Sequence, residues 1–353
     1  MNKAANFIIL TTAIIAVLVI GKGILIPFLF ALIFWFFTRE VRKVIYKIPF
    51  AEKFIPKWLS NIIVFSIIIL AFGFVSEIIT NSITTVTESY SKYEPNIERI
   101  ITDLGNYLNV DIMTSIKSVV GDFNYGSVLG DVANGVSGLL GDTFMIIIYA
   151  LFLFLEERSF VKKLFMILSK GSNYESIQMM LEKIEDSISD YIRLKTYVSL
   201  LTGILSYFVL FFVGVDSAPF WAFLIFLLNY IPTIGSLIGT LFPAIFSLLQ
   251  FGEFTPFLII AAAVGAIQVV VGNVIEPRLF GKSLNLSPLV TILALSVWGK
   301  IWGITGMVLS VPITVIMIIV FSQFEKTRAV AIMLSENGDI DEIHNKKRKK
   351  KSI

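Results

Sequence analysis

Apolar runs of about twenty residues or more recur along this chain, and two of them are interrupted near their middle. Phe220 to Leu249 and Pro288 to Phe321 each carry glycine, proline and polar residues where an apolar helix would normally continue. In a bilayer the backbone N–H and C=O groups must be satisfied inside the helix, so each interruption costs free energy. We therefore expect both breaks to have a use.

Composition supports a membrane protein. The mean hydropathy is +0.82, with 56% apolar and only 16% charged residues, which is far from the averages of soluble domains. We predict an all-α polytopic membrane protein with about six to eight membrane helices. Cysteine is absent, and the single histidine, His344, lies in a charged tail. We therefore expect no disulfide, no metal site and no cofactor.

Charge placement orients the N-terminal transmembrane region, residues 1–79. Two short helices separated by Gly21-Lys22-Gly23 precede a connector, and Trp58 to Ile79 forms a third span. The connector is basic, with few acidic residues. By the positive-inside rule it lies in the cytoplasm. The connector's basic residues are Arg39, Arg42, Lys43, Lys47, Lys53 and Lys57.

Two further regions follow. Residues 80–141 lose the apolar character and have no basic excess, which predicts an extracytoplasmic insertion. Residues 142–195 return the chain to the cytoplasm through Thr143 to Leu155 and continue into an amphipathic helix, Tyr174 to Lys195, with apolar residues every three or four positions. This helix either lies along the membrane or packs on a neighbouring span or subunit.

Residues 196–324 form the C-terminal transport region. Thr196 to Val213 is a span, and Pro256 to Ile275 has the character of a regular helix. The two broken segments flank the second of these, and we expect the first to kink or unwind near Ile231 to Gly235. The interrupting residues are Asn229, Pro232, Thr233, Gly235, Gly239 and Pro243 in the first segment, and Gly299, Lys300, Gly303, Gly306 and Pro312 in the second.

Two arrangements of the broken segments remain open. Each is either one kinked span or a re-entrant hairpin with its tip near the bilayer midplane. The charges of Arg278 and Lys282 favour a cytoplasmic loop between the halves, and hence paired hairpins in an inverted repeat. Corresponding interruptions in two halves are a pointer to a transporter site. Ordinary glycine-mediated helix packing is the alternative explanation.

Polar residues on one helix add to this site. Gly265, Gln268, Gly272 and Glu276 share a face, with Asn273 beside it. This face either lines a cavity or makes interhelical hydrogen bonds, and Glu276 is either a gate or a helix terminus with a local ion pair. The substrate or ion pathway candidates are Asn229, Pro232, Thr233, Gly235, Gln268, Asn273, Glu276, Gly303 and Gly306. The hinge or gate candidates are Pro243, Pro277, Arg278, Gly281 and Pro312.

The stretch from Asn229 to Pro312 resembles the signature region of the autoinducer-2 exporter (AI-2E) family, also described as a permease family. It carries Ile231-Pro232-x-x-Gly235, then GNVIEPRLFGKSLNLSPL, then GITGMVLSVPI, and the likeness covers almost the whole chain. The resemblance implies export of a small polar solute across the bacterial cytoplasmic membrane by a homo-oligomer such as a pentamer. Residues 1–155 would be the scaffold and the broken repeats would move in alternating access. Ser287 stands where many relatives have histidine, so a proton relay is not expected there.

Two alternatives to export remain open. Some members of the family are associated with exchange of Na⁺ or Li⁺ for protons, for which Glu276 and Asp216 are the candidate titrating groups. A non-transporting scaffold that recruits partners through the insertion is a third hypothesis. An enzyme is not expected, since the chain has no P-loop motif and Ser310 has no evident base.

Residues 325–353 form a basic tail that ends in NKKRKKKSI. Attraction to anionic lipid on the cytoplasmic face explains such a tail better than nucleic-acid binding. We therefore predict that both termini are cytoplasmic and that membrane lipids, rather than nucleic acid, are partners.

Overall fold

A computed structural model describes residues 3–46, 57–108, 144–156, 174–280 and 285–338, together with residues 159, 163 and 166. The described residues are helical with no strand. The helices are α1 (Lys3–Ile20), α2 (Lys22–Tyr46), α3 (Lys57–Leu108), α4 (Phe144–Glu156), α5 (Tyr174–Val213), α6 (Ala218–Leu228), α7 (Ile234–Phe251), α8 (Phe254–Val270), a π-helix (Val271–Ile275), α9 (Glu276–Phe280), α10 (Pro288–Ser322) and α11 (Arg328–Leu334).

Five helical stretches in the described part of the chain are long and apolar enough to cross a membrane. Large apolar side chains on them are exposed, as expected of surfaces that face lipid. Both findings agree with an integral membrane protein. The exact number of spans stays a prediction. The five stretches are Lys22–Arg42, Gln178–Val213, Ile234–Phe251, Phe254–Phe280 and Pro288–Ser322.

Helix α3 is longer than the sequence suggested. It runs without interruption for 52 residues, so the helix of the third span does not end at Ile79 but continues into the region expected as an insertion. A change from apolar to polar side chains alters the solvent that a helix meets without removing any backbone hydrogen bond. The stretch after Ile79 contains no glycine or proline before Pro95, and the helix tolerates Pro95 as well. Residues 109–143 of the expected insertion lie outside the described residues.

Helix α5 likewise joins two segments that the sequence suggested were separate. Its 40 residues include both the amphipathic stretch and the following span, with no break at Lys195. The apolar face of the amphipathic part is buried at Ile188, Tyr191 and Ile192, in a cluster with residues such as Val315 of α10. This part of α5 therefore packs against other helices of the protein.

The regular helix expected from Pro256 to Ile275 also differs from the structure. The α-helical geometry ends at Val270, and Val271–Ile275 form a single π-helical turn before α9. Single π-helical turns inside α-helices are frequently found at functional sites. Glu276 is the first residue after this turn.

The chain divides into two compact units, each assembled from separated stretches. The terminal unit comprises residues 1–57, 141–194 and 280–353, and the central unit comprises 58–140 and 195–279. The core of the central unit is a cluster that includes Tyr93, Leu210, Ile225, Ala244 and Val264. The division by sequence into five consecutive regions stays a prediction.

Candidate transport site

The first broken segment folds back on itself in the central unit. A Cβ atom built on Gly235 would lie 1.8 Å from the carbonyl oxygen of Leu228, and one on Gly239 would lie 3.6 Å from Cα of Ile225. The later glycine in α7 lies beside the earlier residue in α6, so the two helices form an antiparallel hairpin. At its tip Thr233 has φ 61° and ψ −57°, which no helix accommodates. The interruption expected near Ile231 to Gly235 is therefore confirmed.

The second broken segment has a closely similar geometry in the terminal unit. Gly303 interrupts α10 with φ 64° and ψ −142°. A Cβ on Gly306 would lie 1.9 Å from the carbonyl oxygen of Trp298 and 3.1 Å from Cβ of Trp302. The contacts of Gly235 follow the same spacing: its Cβ would lie 1.8 Å from the carbonyl oxygen of Leu228 and 3.2 Å from Cβ of Ile231. Only glycine fits such an approach. The likeness of the two breaks supports the repeat, while their depth in a bilayer stays a prediction.

Hydrogen bonds between uncharged side chains connect the tip of the first hairpin to α5. Asn229 is buried, and its Nδ2 donates to Oγ of Ser199 at 3.2 Å. The hydroxyls of Tyr230 and Thr196 are 2.7 Å apart. Asn229 was expected at the site from sequence, whereas Ser199 and Thr196 were not, since nothing in an apolar span marks a lone hydroxyl as a partner.

Gln268 lies beside this hairpin with an unused donor. Its side chain is buried, and a Cβ on Gly239 of α7 would be 3.5 Å from its Nε2 atom. One turn away, a Cβ on Gly265 would be 3.8 Å from Cγ2 of Thr240. The Nε2 of Gln268 has no hydrogen-bond partner among the described residues. Burial of an unpartnered amide costs about 1–3 kcal/mol, so an acceptor brought by a ligand would be favourable there.

Glu276 forms an ion pair that the sequence did not indicate. Its Oε1 accepts a hydrogen bond from Nζ of Lys195 at 2.6 Å, and the side chains are 26% and 6% exposed respectively. The partner comes from α5 rather than from the adjacent Arg278, which is exposed. The sequence signal that could have pointed to Lys195 is its position as a cation at the start of an apolar span.

Several other candidates differ in their exposure. Asn273 is exposed, as are Pro277 and Arg278. Pro243 and Pro312 are buried inside α7 and α10, and both helices continue through them. Their hinge role stays a prediction, and Gly281 lies outside the described residues.

A second polar cluster, the turn clamp, ties the polar half of α3 to two helix connections in the central unit. The hydroxyl of Tyr93 donates to Oδ2 of Asp216 at 2.6 Å, in the α5–α6 turn. Asn96 Nδ2 donates to the carbonyl oxygens of Leu249 and Gln250, at 3.0 and 2.9 Å, beside the α7–α8 turn. Oε1 of Gln250 in turn accepts from the backbone N–H of Asp216 at 2.8 Å.

The turn clamp affects the chemistry of its members. Burial raises the pKa of Tyr93 to about 12, and the hydrogen bond to Asp216 acts in the same direction. Asp216, named from sequence as a titrating group, thus has a structural partner.

The described part of the chain contains no cluster of three or more His, Asp and Glu side chains that could hold a metal ion.

Known proteins are similar to this chain over most of its length. Residues 7–326 match the family model described as AI-2E family transporter, which confirms the resemblance seen in the signature segment. The chain is 29% identical to a Haemophilus influenzae protein named only as a candidate transport protein, over 93% of this chain and 94% of that protein. It is 30% identical to the AI-2 transport protein TqsA of Escherichia coli K12, over 80% and 82% of the two chains. A further candidate transport protein, from Borreliella burgdorferi, is 29% identical over 85% and 82%.

Proposed function

This chain belongs to the AI-2E transporter family, and on that premise we propose that it exports a small polar solute across the cytoplasmic membrane by alternating access. The relatives are named as transport proteins, and five described helical stretches are suited to cross a membrane. Both findings support a membrane transporter. The class of solute, the direction of transport and alternating access are what we propose beyond these findings.

The observation that carries the proposal is the unpartnered amide of Gln268. Its Nε2 is buried next to the glycine-lined face of α7 and has no acceptor among the described residues. A solute with hydroxyl or carbonyl oxygens would provide that acceptor, and an uncharged one would avoid the cost of moving an ion into this apolar region. A small hydroxylated or carbonyl compound therefore fits the site best.

The hairpin tip can exchange its bonds at small cost. The contacts of Asn229 with Ser199 and of Tyr230 with Thr196 are single hydrogen bonds between uncharged groups. Each contributes about 1 kcal/mol net, so bonds to a solute could replace them. Such an exchange would let the tip move between two arrangements as alternating access requires.

Efflux from proteoliposomes tests the proposal. AI-2, the molecule in the name of the Escherichia coli relative, is the first probe. Gln268→Leu should slow its efflux about tenfold, the equivalent of one lost hydrogen bond. It should leave stability unchanged or raised, because it removes a buried donor that has no partner. A Gln268→Leu protein that is unstable would instead indicate a structural role.

A matched control separates the site from a general effect. Gln178 also lies on a described helix, in the terminal unit, where its Nε2 donates to Glu182 at 3.0 Å. Gln178→Leu should transport at the rate of the unmodified protein. Equal efflux by both variants would contradict the assignment of Gln268. Absence of efflux from the unmodified protein with AI-2 or other small hydroxylated solutes would contradict export.

The Lys195–Glu276 pair favours one other candidate, a Na⁺(Li⁺)/H⁺ antiporter. A carboxylate that exchanges its lysine partner for a metal cation or for a proton could couple cation transport in one direction to proton transport in the other. In the same proteoliposomes, a sodium gradient would then change internal pH, and Glu276→Gln would abolish that change. Neither solute efflux nor a pH change, in correctly assembled protein, would favour the scaffold hypothesis.

A further inference from the structure

A pocket lies in the terminal unit, where two helix breaks meet, beside the second broken segment and its pathway candidate Gly303. Its volume is about 510 Å³, and it is lined by Lys22–Gly23 and Ile26–Pro27 of α2 and by residues 299–303 of α10. The indole Nε1 of Trp302 donates to the carbonyl oxygen of Leu18 at 2.9 Å. This bond fastens the break in α10 to the end of α1.

The lining carries positive charge without compensation. Lys22 and Lys300 are both exposed and both line the pocket, and no Asp or Glu among the described residues lines it. Neither lysine forms an ion pair with any described residue. Two like charges around one cavity repel each other, and an anion between them would remove that repulsion.

The backbone adds to this preference. Lys22 is the first residue of α2, so the N-terminal end of a 25-residue helix, with its partial positive charge, faces the same region. Gly303 and Gly23 leave space, since a Cβ on either would meet nothing within 4 Å. The pocket therefore has room for a group the size of a phosphate beside the two ammonium groups.

Apolar side chains around the pocket indicate where the anion comes from. Ile20, Ile24 and Ile304, next to the lining residues in sequence, are 84%, 65% and 71% exposed. In an integral membrane protein such side chains contact acyl chains, whereas a site for a soluble anion would have a polar rim. Lysines at the ends of apolar helices reach towards headgroups in the same way.

We propose that this pocket binds the phosphate of an anionic phospholipid headgroup, held by Lys22 and Lys300 while the acyl chains lie against the exposed isoleucines; this places the α10 break at headgroup depth and not near the bilayer midplane. The bound lipid joins the α1–α2 break to the α10 break. The pocket is not lined by Gln268, on which the proposed function rests.

Lysine footprinting on the full-length protein in nanodiscs tests this directly. Acylation of Lys22 and Lys300 should be slowed at least severalfold in phosphatidylglycerol relative to phosphatidylcholine. Lys326, which is exposed as both pocket lysines are but lies outside the pocket, should react equally in both lipids after correction for surface charge. Equal acylation of all three lysines in the two lipids would overturn the proposal. This measurement uses the unmodified chain, so it does not depend on whether a variant folds.

Variants test the same site by native mass spectrometry. Lys22→Gln/Lys300→Gln should weaken retention of phosphatidylglycerol about 25-fold, since each basic residue near an anionic lipid contributes roughly fivefold. Lys22→Arg/Lys300→Arg should retain it. The control Lys92→Gln/Lys326→Gln loses the same net charge from exposed positions outside the pocket and should also retain it.

Two outcomes would refute the assignment of a phospholipid to this pocket. If the control loses phosphatidylglycerol as strongly as the pocket variant, general charge and not the pocket binds it. If millimolar inorganic phosphate protects Lys22 and Lys300 in delipidated protein and displaces phosphatidylglycerol, the site takes a soluble anion. Protection by phosphatidylglycerol that phosphate does not displace supports the proposal.

Discussion

Removal of either member of the Lys195–Glu276 pair should destabilise the central unit by unequal amounts. The two atoms are 2.6 Å apart, and the lysine side chain is 6% exposed while that of glutamate is 26% exposed. Glu276→Leu leaves an almost fully buried ammonium group without a partner. Lys195→Met leaves a carboxylate that is only partly buried. The first change should therefore cost more than the second.

The size of each effect follows from the exposure. Loss of one partner from a buried ion pair costs about 3–5 kcal/mol, and Glu276→Leu should fall in this range. Because the remaining carboxylate is less deeply buried than the lysine, the cost of Lys195→Met should be lower, about 1–3 kcal/mol. The double variant removes both desolvated charges and should lie within about 1 kcal/mol of the unmodified protein.

A double-mutant cycle measures these differences. The free energy of unfolding is taken from reversible unfolding in mixed detergent micelles, for the four proteins under one set of conditions. A coupling energy of at least about 2 kcal/mol between the sites is expected. Additive effects within about 0.5 kcal/mol, or a larger cost for Lys195→Met than for Glu276→Leu, would refute the argument from burial.

Two further predictions concern backbone packing and the turn clamp. Gly235→Ala places a methyl group 1.8 Å from a backbone carbonyl oxygen and should lower the free energy of unfolding by at least about 1–3 kcal/mol. Gly272→Ala, whose methyl group would have nothing within 4 Å, should be neutral or slightly stabilising. Similar unfolding free energies for the two variants would contradict the hairpin contact. Because the pKa of Tyr93 rises from 10 to about 12 on folding, the stability that its neutral hydroxyl contributes beside Asp216 is complete below pH 10 and is lost as the pH rises towards 12. Tyr93→Phe should therefore flatten the fall of thermal stability above pH 10, and the same flattening in a control Tyr197→Phe variant, which alters an exposed ring, would show that Tyr93 is not its source.

Local sequence was sufficient for the class of protein and for the positions of the breaks. Apolar run length and charge asymmetry predict membrane helices because burial in lipid acts on each segment separately. The interruptions near Gly235 and Gly303 were predictable because glycine and proline change backbone preferences at their own positions. The signature segment was enough to identify the family.

Local sequence was less reliable for helix ends. The third span and the amphipathic helix were given ends near Ile79 and Lys195, where side-chain polarity changes. The helices continue through both positions because their backbone hydrogen bonds do not depend on that polarity.

The partners of the polar groups were decided only by the tertiary structure. Lys195 and Glu276 are 81 residues apart, and Tyr93 and Asp216 are 123 apart, so no spacing rule relates them. The unused donor of Gln268 is also a property of the packing, since only the surrounding atoms show that no acceptor reaches it. The sequence by itself determined that this chain is a membrane transporter with two broken helices. Where its polar groups meet, and which of them remain available to a ligand, depends on contacts between distant segments that only folding creates.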